Sequence, residues 1–103
     1  MNPVTAAIRG SGAKDRGRIA LAFGSTLRET RRALGLTQEE LARVSGFDRT
    51  YTSLLERGLR TPSLAVLFRL AEALGVKACR LVTLTEDQLS GNGEIRAGAE
   101  SAE

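Results

Sequence analysis

Apolar residues in this chain recur at helical rather than strand spacing, and they do so between about residue 19 and residue 84. Phe23, Leu27 and Leu34 share one face of a first helix, predicted to begin near Ile19 or Ala20 and to end at Leu34, with Gly35 as its C-cap. Arg31 falls on the same apolar stripe, so its charge needs a buried partner. Gly24 lowers the stability of this helix by about 1 kcal/mol relative to alanine, which favours fraying of its first turn. From Thr37 to Gly58 the chain reads TQEELARVSGFDRTYTSLLERG, two short helices joined by one tight turn. Thr37 and Glu40 form a capping box, and Leu41, Ala42 and Val44 supply a small apolar face. Gly46 reverses the chain, Phe47 anchors it, and Asp48 caps a second helix over Arg49 to Arg57, with Leu55 inward and Gly58 at its end.

Beyond that pair, Thr61 and Pro62 open another helix, the hydroxyl as cap and the proline at the first helical position. Leu64, Leu67, Leu70, Ala71 and Leu74 form its apolar stripe, and Gly75 stops it. Val76 to about Thr83 makes a last short helix, with Leu81 and Val82 inward. No strand-period segment and no repeat occurs. The fold class is all-α, a compact bundle of about five short helices. Residues 1–18 lack apolar periodicity and read as a flexible basic arm. Residues 19–84 form the domain, and residues 85–103 turn polar and acidic and read as a disordered tail, although Thr85-Glu-Asp-Gln-Leu could add a helical turn. The paired helices at the centre have the form of a helix-turn-helix, whose second helix enters the major groove of DNA.

Charge sharpens that reading. The formal net charge is only +3, an ordinary value for a globular chain. Its distribution is uneven. Residues 1–18 carry Arg9, Lys14, Arg16 and Arg18 against Asp15, a net +3. Residues 19–84 carry ten basic and six acidic side chains, a net +4, and residues 85–103 carry a net −4. A basic body with an acidic tail suits a polyanionic partner for the body. With 42% apolar but only 4% aromatic residues, the core must be built from leucine, alanine and valine. Cys79 is the single cysteine, which excludes an intrachain disulfide and suits a reducing cytoplasm. No apolar run approaches the roughly 18 residues needed to cross a bilayer, and the first 18 residues lack the apolar core of a secretion signal. The expected location is therefore cytoplasmic and nucleoid-associated.

The stretch from Phe23 to Val82 resembles the Xre/Cro-type helix-turn-helix domain of phage repressors and bacterial regulators. The pieces that carry the resemblance are Phe23-Gly24-x-x-Leu27-Arg28-x-x-Arg31, Gly35-Leu36-Thr37-Gln38-Glu39-Glu40-Leu41-Ala42 and Ser45-Gly46. They continue in Leu55-Glu56-Arg57-Gly58, Pro62-Ser63-Leu64 and Leu70-Ala71-x-x-Leu74-Gly75-Val76. The resemblance implies that the Gln38 amide bonds a phosphate and braces the start of the recognition helix. It also implies a buried salt bridge between Arg31 and Glu56. Two departures, Thr52 and Ala78, stand where the family places larger apolar residues and imply looser packing there.

The start of the recognition helix at Arg49 makes Arg49, Thr50, Ser53 and Leu54 the candidates for base contacts. An arginine can donate two hydrogen bonds to a guanine edge, while threonine and leucine suit a thymine methyl. Gln38, Tyr51, Arg57 and Arg60 are the candidate phosphate contacts, with Tyr51 equally suited to packing at the helix interface. Arg28, Arg32 and Arg43 read as solvated. One recognition helix spans few base pairs, so a homodimer on a two-fold symmetric operator is expected. Its contact surface would be the C-terminal helix, through Cys79, Val82 and Leu84, residues that equally suit core packing.

The leading function is thus a repressor-like, sequence-specific regulator of transcription that binds double-stranded DNA. The alternative is an antitoxin or adaptor that uses the same fold mainly for protein contacts, with the acidic tail meeting a protein partner. An enzyme is disfavoured. There is no histidine, no metal-ligand cluster and no phosphate-cradling glycine loop, so neither cofactor nor metal is expected.

Overall fold

In a computed structural model, residues 12–91 are described, and they form five helices with no strand among them. These are α1 (Gly12–Ala33), α2 (Gln38–Ser45), α3 (Arg49–Glu56), α4 (Leu64–Leu74) and α5 (Ala78–Gly91). Helix α1 packs along α5 and across α3, while α2 packs on α3 and α4, and α4 closes on α5. One core joins all five through Phe23, Leu27, Leu41, Leu55, Leu67, Leu70, Ala71, Leu74 and Leu81. Phe23 is its only fully buried aromatic residue, so leucine packing carries the bundle.

Several boundaries differ from the apolar pattern, each for an identifiable reason. Helix α1 begins at Gly12, inside the segment read as a flexible arm. Residues 16–19 are exposed there, so they leave no apolar period, yet Asp15 favours a helix start and pairs with Arg18 one turn on at 3.4 Å. At its other end α1 stops at Ala33, Gly35 reverses the chain at φ +75°, and Leu34, past the last helical residue, is exposed rather than part of the buried stripe. Val44 on α2 is likewise exposed rather than part of the apolar face.

Ser63, not Thr61, caps α4, its hydroxyl accepting the Val66 N–H at 3.1 Å. Pro62 biases Thr61 towards extended backbone, which delays the helix start. Leu64 consequently lies at the first helical position and is exposed, whereas Leu67, Leu70, Ala71 and Leu74 face the core. Helix α5 starts at Ala78 and continues to Gly91, taking in the turn that Thr85-Glu-Asp-Gln-Leu offered and running into the segment otherwise read as a disordered tail. Its buried register is Leu81 and Thr85, the Thr85 hydroxyl donating to the Leu81 carbonyl at 2.8 Å, so Val82 turns outward. Gln88 on the same helix donates to Glu29 of α1 at 3.1 Å. The rest of the arm and tail, residues 1–11 and 92–103, lies outside the described residues.

Gly24 has a purpose that helix propensity did not suggest. A Cβ there would lie 2.5 Å from the Glu56 carbonyl oxygen and 2.6 Å from that of Leu55. The glycine thus lets the α1 backbone lie directly on the C-terminal end of α3. Nothing occupies the space around Gly17 on the same helix. Gly24→Ala is therefore expected to destabilise the domain by at least the about 1–3 kcal/mol of an overpacked core. Gly17→Ala should instead stabilise it, by up to about 0.5–1 kcal/mol. Thermal unfolding followed by circular dichroism checks both signs; equal effects would refute the close-approach role of Gly24.

Candidate nucleic-acid interface

Helix α2 is set by its capping box. The Thr37 hydroxyl accepts the Glu40 N–H at 3.0 Å and the Glu40 carboxylate accepts the Thr37 N–H at 2.8 Å. That backbone N–H holds the Glu40 carboxyl below its usual range. Gly46, at φ +80°, ends α2 and donates to the Ala42 carbonyl at 2.9 Å. Phe47 donates to the same carbonyl and turns its ring inward against the core. Asp48 then starts α3, its carboxylate accepting the Tyr51 N–H at 2.8 Å. Both caps are those read from the sequence.

On α3, Thr52, Leu55 and Glu56 are buried, so the opposite face is the one available to a ligand. Arg49 and Thr50 are exposed in its first turn, while Ser53 and Leu54 are half-buried one turn later. Tyr51 is half-buried, its ring meeting Phe47 edge-on at 5.3 Å between centroids and 66° between planes. The packing half of the Tyr51 reading is thus present. Thr52 fills its inward position as a fully buried residue, its hydroxyl donating to the Arg49 carbonyl at 3.0 Å. Arg57 ends the helix as its C-cap, and Gly58, at φ +75°, starts the loop that carries Arg60. Arg49, Arg57 and Arg60 have no ion-pair partner among the described residues.

Behind this face lies a buried polar cluster centred on Glu56. Arg31 Nε donates to Glu56 Oε2 at 2.6 Å and Arg31 Nη2 to Glu56 Oε1 at 3.0 Å, a two-pronged pair across α1 and α3. Arg31 Nη1 also reaches the Leu36 carbonyl at 2.8 Å, which ties in the loop before α2. The salt bridge implied by the resemblance is therefore present. Gln38 Nε2 donates to Glu56 Oε1 at 3.0 Å, so its amide braces the end of the recognition helix rather than its start. Arg28, read as solvated, instead lies 3.7 Å from Glu56 Oε1. Burial pushes the Glu56 carboxyl up, but hydrogen bonds from Arg31 and Gln38, with the charges of Arg31 and Arg28, outweigh it and hold the carboxyl below its usual range. Arg32 and Arg43 are exposed, as read.

Two residues of this region were given no role at the site by the sequence. Gly24, part of the family opening but otherwise read as a weak point, provides the contact on which α3 rests. Arg69 of α4 lies over the Phe47 ring, 4.8 Å from its centroid. The two are far apart along the chain, and nothing in local spacing links them.

The capped pair α2–α3, joined by a glycine turn and packed on α1 and α4, defines a helix-turn-helix protein. The family model described as helix-turn-helix matches residues 27–81, just over half of the chain. This chain belongs to that helix-turn-helix family and is a DNA-binding transcriptional regulator. It is 50% identical over 64 residues to an uncharacterised HTH-type transcriptional regulator, y4dJ, of Sinorhizobium fredii, a match covering 62% of this chain and 83% of the relative. It is also similar to the restriction-modification controller protein C.AhdI from Aeromonas hydrophila, at 47% identity and a TM-score of 0.59, over 60% of this chain and 94% of that one. The clp gene regulator ClgR from Corynebacterium glutamicum is 29% identical with a TM-score of 0.68, over 81% of this chain and 84% of that one. The family is one of transcription regulators rather than a class of enzymes. Among the described residues, no helix is long and apolar enough to cross a membrane.

The Glu56 cluster makes two expectations concrete. Arg31→Ala or Glu56→Gln each leaves a buried polar group uncompensated and should cost about 3–5 kcal/mol. The folded-state pKa of Glu56 lies below its unfolded value, so its contribution is fully present above about pH 4.3. It is lost as pH falls through the lower folded value. Urea unfolding across an acid series should show stability falling below about pH 4.3, by a smaller amount in Glu56→Gln.

Proposed function

We propose that this regulator reads DNA sequence specifically, with α3 in the major groove and two protomers on a two-fold symmetric operator. The observation that carries the reading is the division of α3 into two faces. Its inner face and C-terminal end are locked by Leu55, Gly24 and the Glu56 cluster. Its outer first turn carries Arg49 and Thr50 without competing partners among the described residues. Arg49 is assigned to a guanine edge, and Thr50, Ser53 and Leu54 to neighbouring base edges and methyl groups.

Phosphate contacts are assigned to Arg57 and Arg60 beside the helix end, to the Tyr51 hydroxyl, and to the second N–H of the Gln38 amide. One N–H of Gln38 is already spent on Glu56, which leaves the other oriented and in place. Dimerisation is assigned to α5 and its surroundings. Cys79 and Val82 are exposed on that helix, Leu84 is half-buried, and Ile19, Leu64 and Val82 line one apolar groove beside it. The restriction-modification controller and clp gene regulator among the similar proteins support a regulatory role. The cytoplasm, in association with the nucleoid, is its assigned location, and the acidic segment after Thr85 is assigned to a protein partner.

Selection of duplexes from a random pool at near-physiological salt tests the reading. A two-fold symmetric site should be enriched, and Arg49→Ala should relax one guanine position per half-site, worth about 1–3 kcal/mol of discrimination. Recovery of no preferred sequence, with residual affinity falling steeply as salt rises, would sink it.

A further inference from the structure

We propose that Arg69, on α4 and outside the helix-turn-helix pair, is a further phosphate-binding residue of the DNA interface, held over the turn by Phe47. The proposal rests on the DNA-binding reading above. The Arg69 guanidinium carbon is 4.8 Å from the Phe47 ring centroid, within the about 6 Å range of a cation–π contact. Phe47 in turn meets Tyr51, a residue of the same first turn of α3 that carries Arg49 and Thr50. Arg69 Nη1 is also the heavy atom nearest the Gly46 side, 3.5 Å from where a Cβ would stand. The guanidinium therefore lies against Gly46 and Phe47, the two residues that reverse the chain between α2 and α3.

Three features suit this group to a phosphate. Arg69 is exposed and has no carboxylate within ion-pair distance among the described residues. The guanidinium makes no hydrogen bond or ion pair among the described residues, so its N–H donors are free for an anion while its charge rests over the Phe47 ring. The ring contact also restricts the side chain before binding, so less freedom is lost when a ligand is gripped. The charge is stationed beside the N-terminal end of α3, where the helix dipole already favours an anion. Asp48, the acidic residue of this turn, has its carboxylate engaged in the Tyr51 cap. Because Arg69 sits on the turn rather than on the outer face of α3, the backbone and not a base edge is its target.

The test is equilibrium binding of the full chain to two duplexes of about 30 base pairs, roughly three helical turns, across a salt series. One duplex is the sequence enriched from the random pool and the other is unrelated. Arg69→Ala should weaken binding to both by a similar factor, roughly threefold to tenfold, and flatten the salt dependence by about 0.9 per protomer. Arg69→Lys, which keeps the charge, should keep most of that slope. Phe47→Leu should weaken binding in the presence of Arg69 and add little in the Arg69→Ala background. Circular dichroism confirms that each variant is folded before its affinity is read.

An unchanged salt slope in Arg69→Ala, a loss confined to the enriched duplex, or a lysine variant that loses as much slope as alanine would each overturn the assignment. If the unaltered chain binds neither duplex, the DNA-binding reading itself fails. If it binds and Arg69→Ala binds equally well, only the role of Arg69 fails.

Discussion

The carboxylate of Glu56 is the constraint around which the domain is assembled. A charge buried at the end of a helix is tolerated only if its oxygens are satisfied. Here Oε2 takes one prong of Arg31, and Oε1 takes the other together with the Gln38 amide. Arg31 spends a further N–H on the Leu36 carbonyl. One carboxylate thus joins α1, the loop before α2, the first residue of α2 and the last residue of α3. Such a cluster need not exceed an apolar replacement in net stability. Its planar, two-pronged geometry instead limits the arrangements of these helices that leave no charge exposed to the core.

That constraint works with a steric one. Gly24 brings the α1 backbone onto the Leu55 and Glu56 carbonyls, so α3 is held by backbone contact as well as by charge. The core beneath supplies the stabilising burial, with Leu27, Leu41, Leu55, Leu70 and Leu81 fully enclosed. The burial is not directional, whereas the glycine contact and the Arg31 fork are. Orientation of the recognition helix therefore depends on a few directional contacts, and its retention in the bundle depends on leucine packing.

The elements legible in the sequence were those encoded by nearby residues. The Thr37 capping box, the Gly46 turn and the Asp48 cap involve residues within a few positions of each other, and the backbone adopts each as read. The inward position of Leu55 and the Arg31–Glu56 pair were also readable, the latter only through the family pattern. Part of what was not legible depended on contacts between distant segments. Arg28 looked solvated because its partner is on another helix, and Gln38 was assigned to the wrong end of α3 for the same reason. Helix lengths were underestimated at both ends of the domain because exposed turns of α1 and α5 add few apolar residues to the period. Ser63 displaced Thr61 as a cap because both have the right side chain and only the path of the backbone past Pro62 distinguishes them.

The division of labour across α3 has a consequence for how binding energy is used. A donor already bonded within the protein must leave its partner before that same donor can meet DNA, so its net contribution shrinks. Arg49 and Thr50 carry no such debt, since neither is tied to a described partner and both project from a helix whose position is set from behind. Gln38 and Tyr51 are the opposite case: each is already ordered, by Glu56 and by Phe47 respectively, and loses little freedom on contact with a phosphate. On the proposed assignment, the free Arg49 and Thr50 suit base edges and the ordered Gln38 and Tyr51 suit phosphates, while Arg57 and Arg60 would meet phosphates as unpaired charges. Base reading requires donors that can adjust to an edge, whereas phosphate contacts set register and benefit from groups fixed in advance.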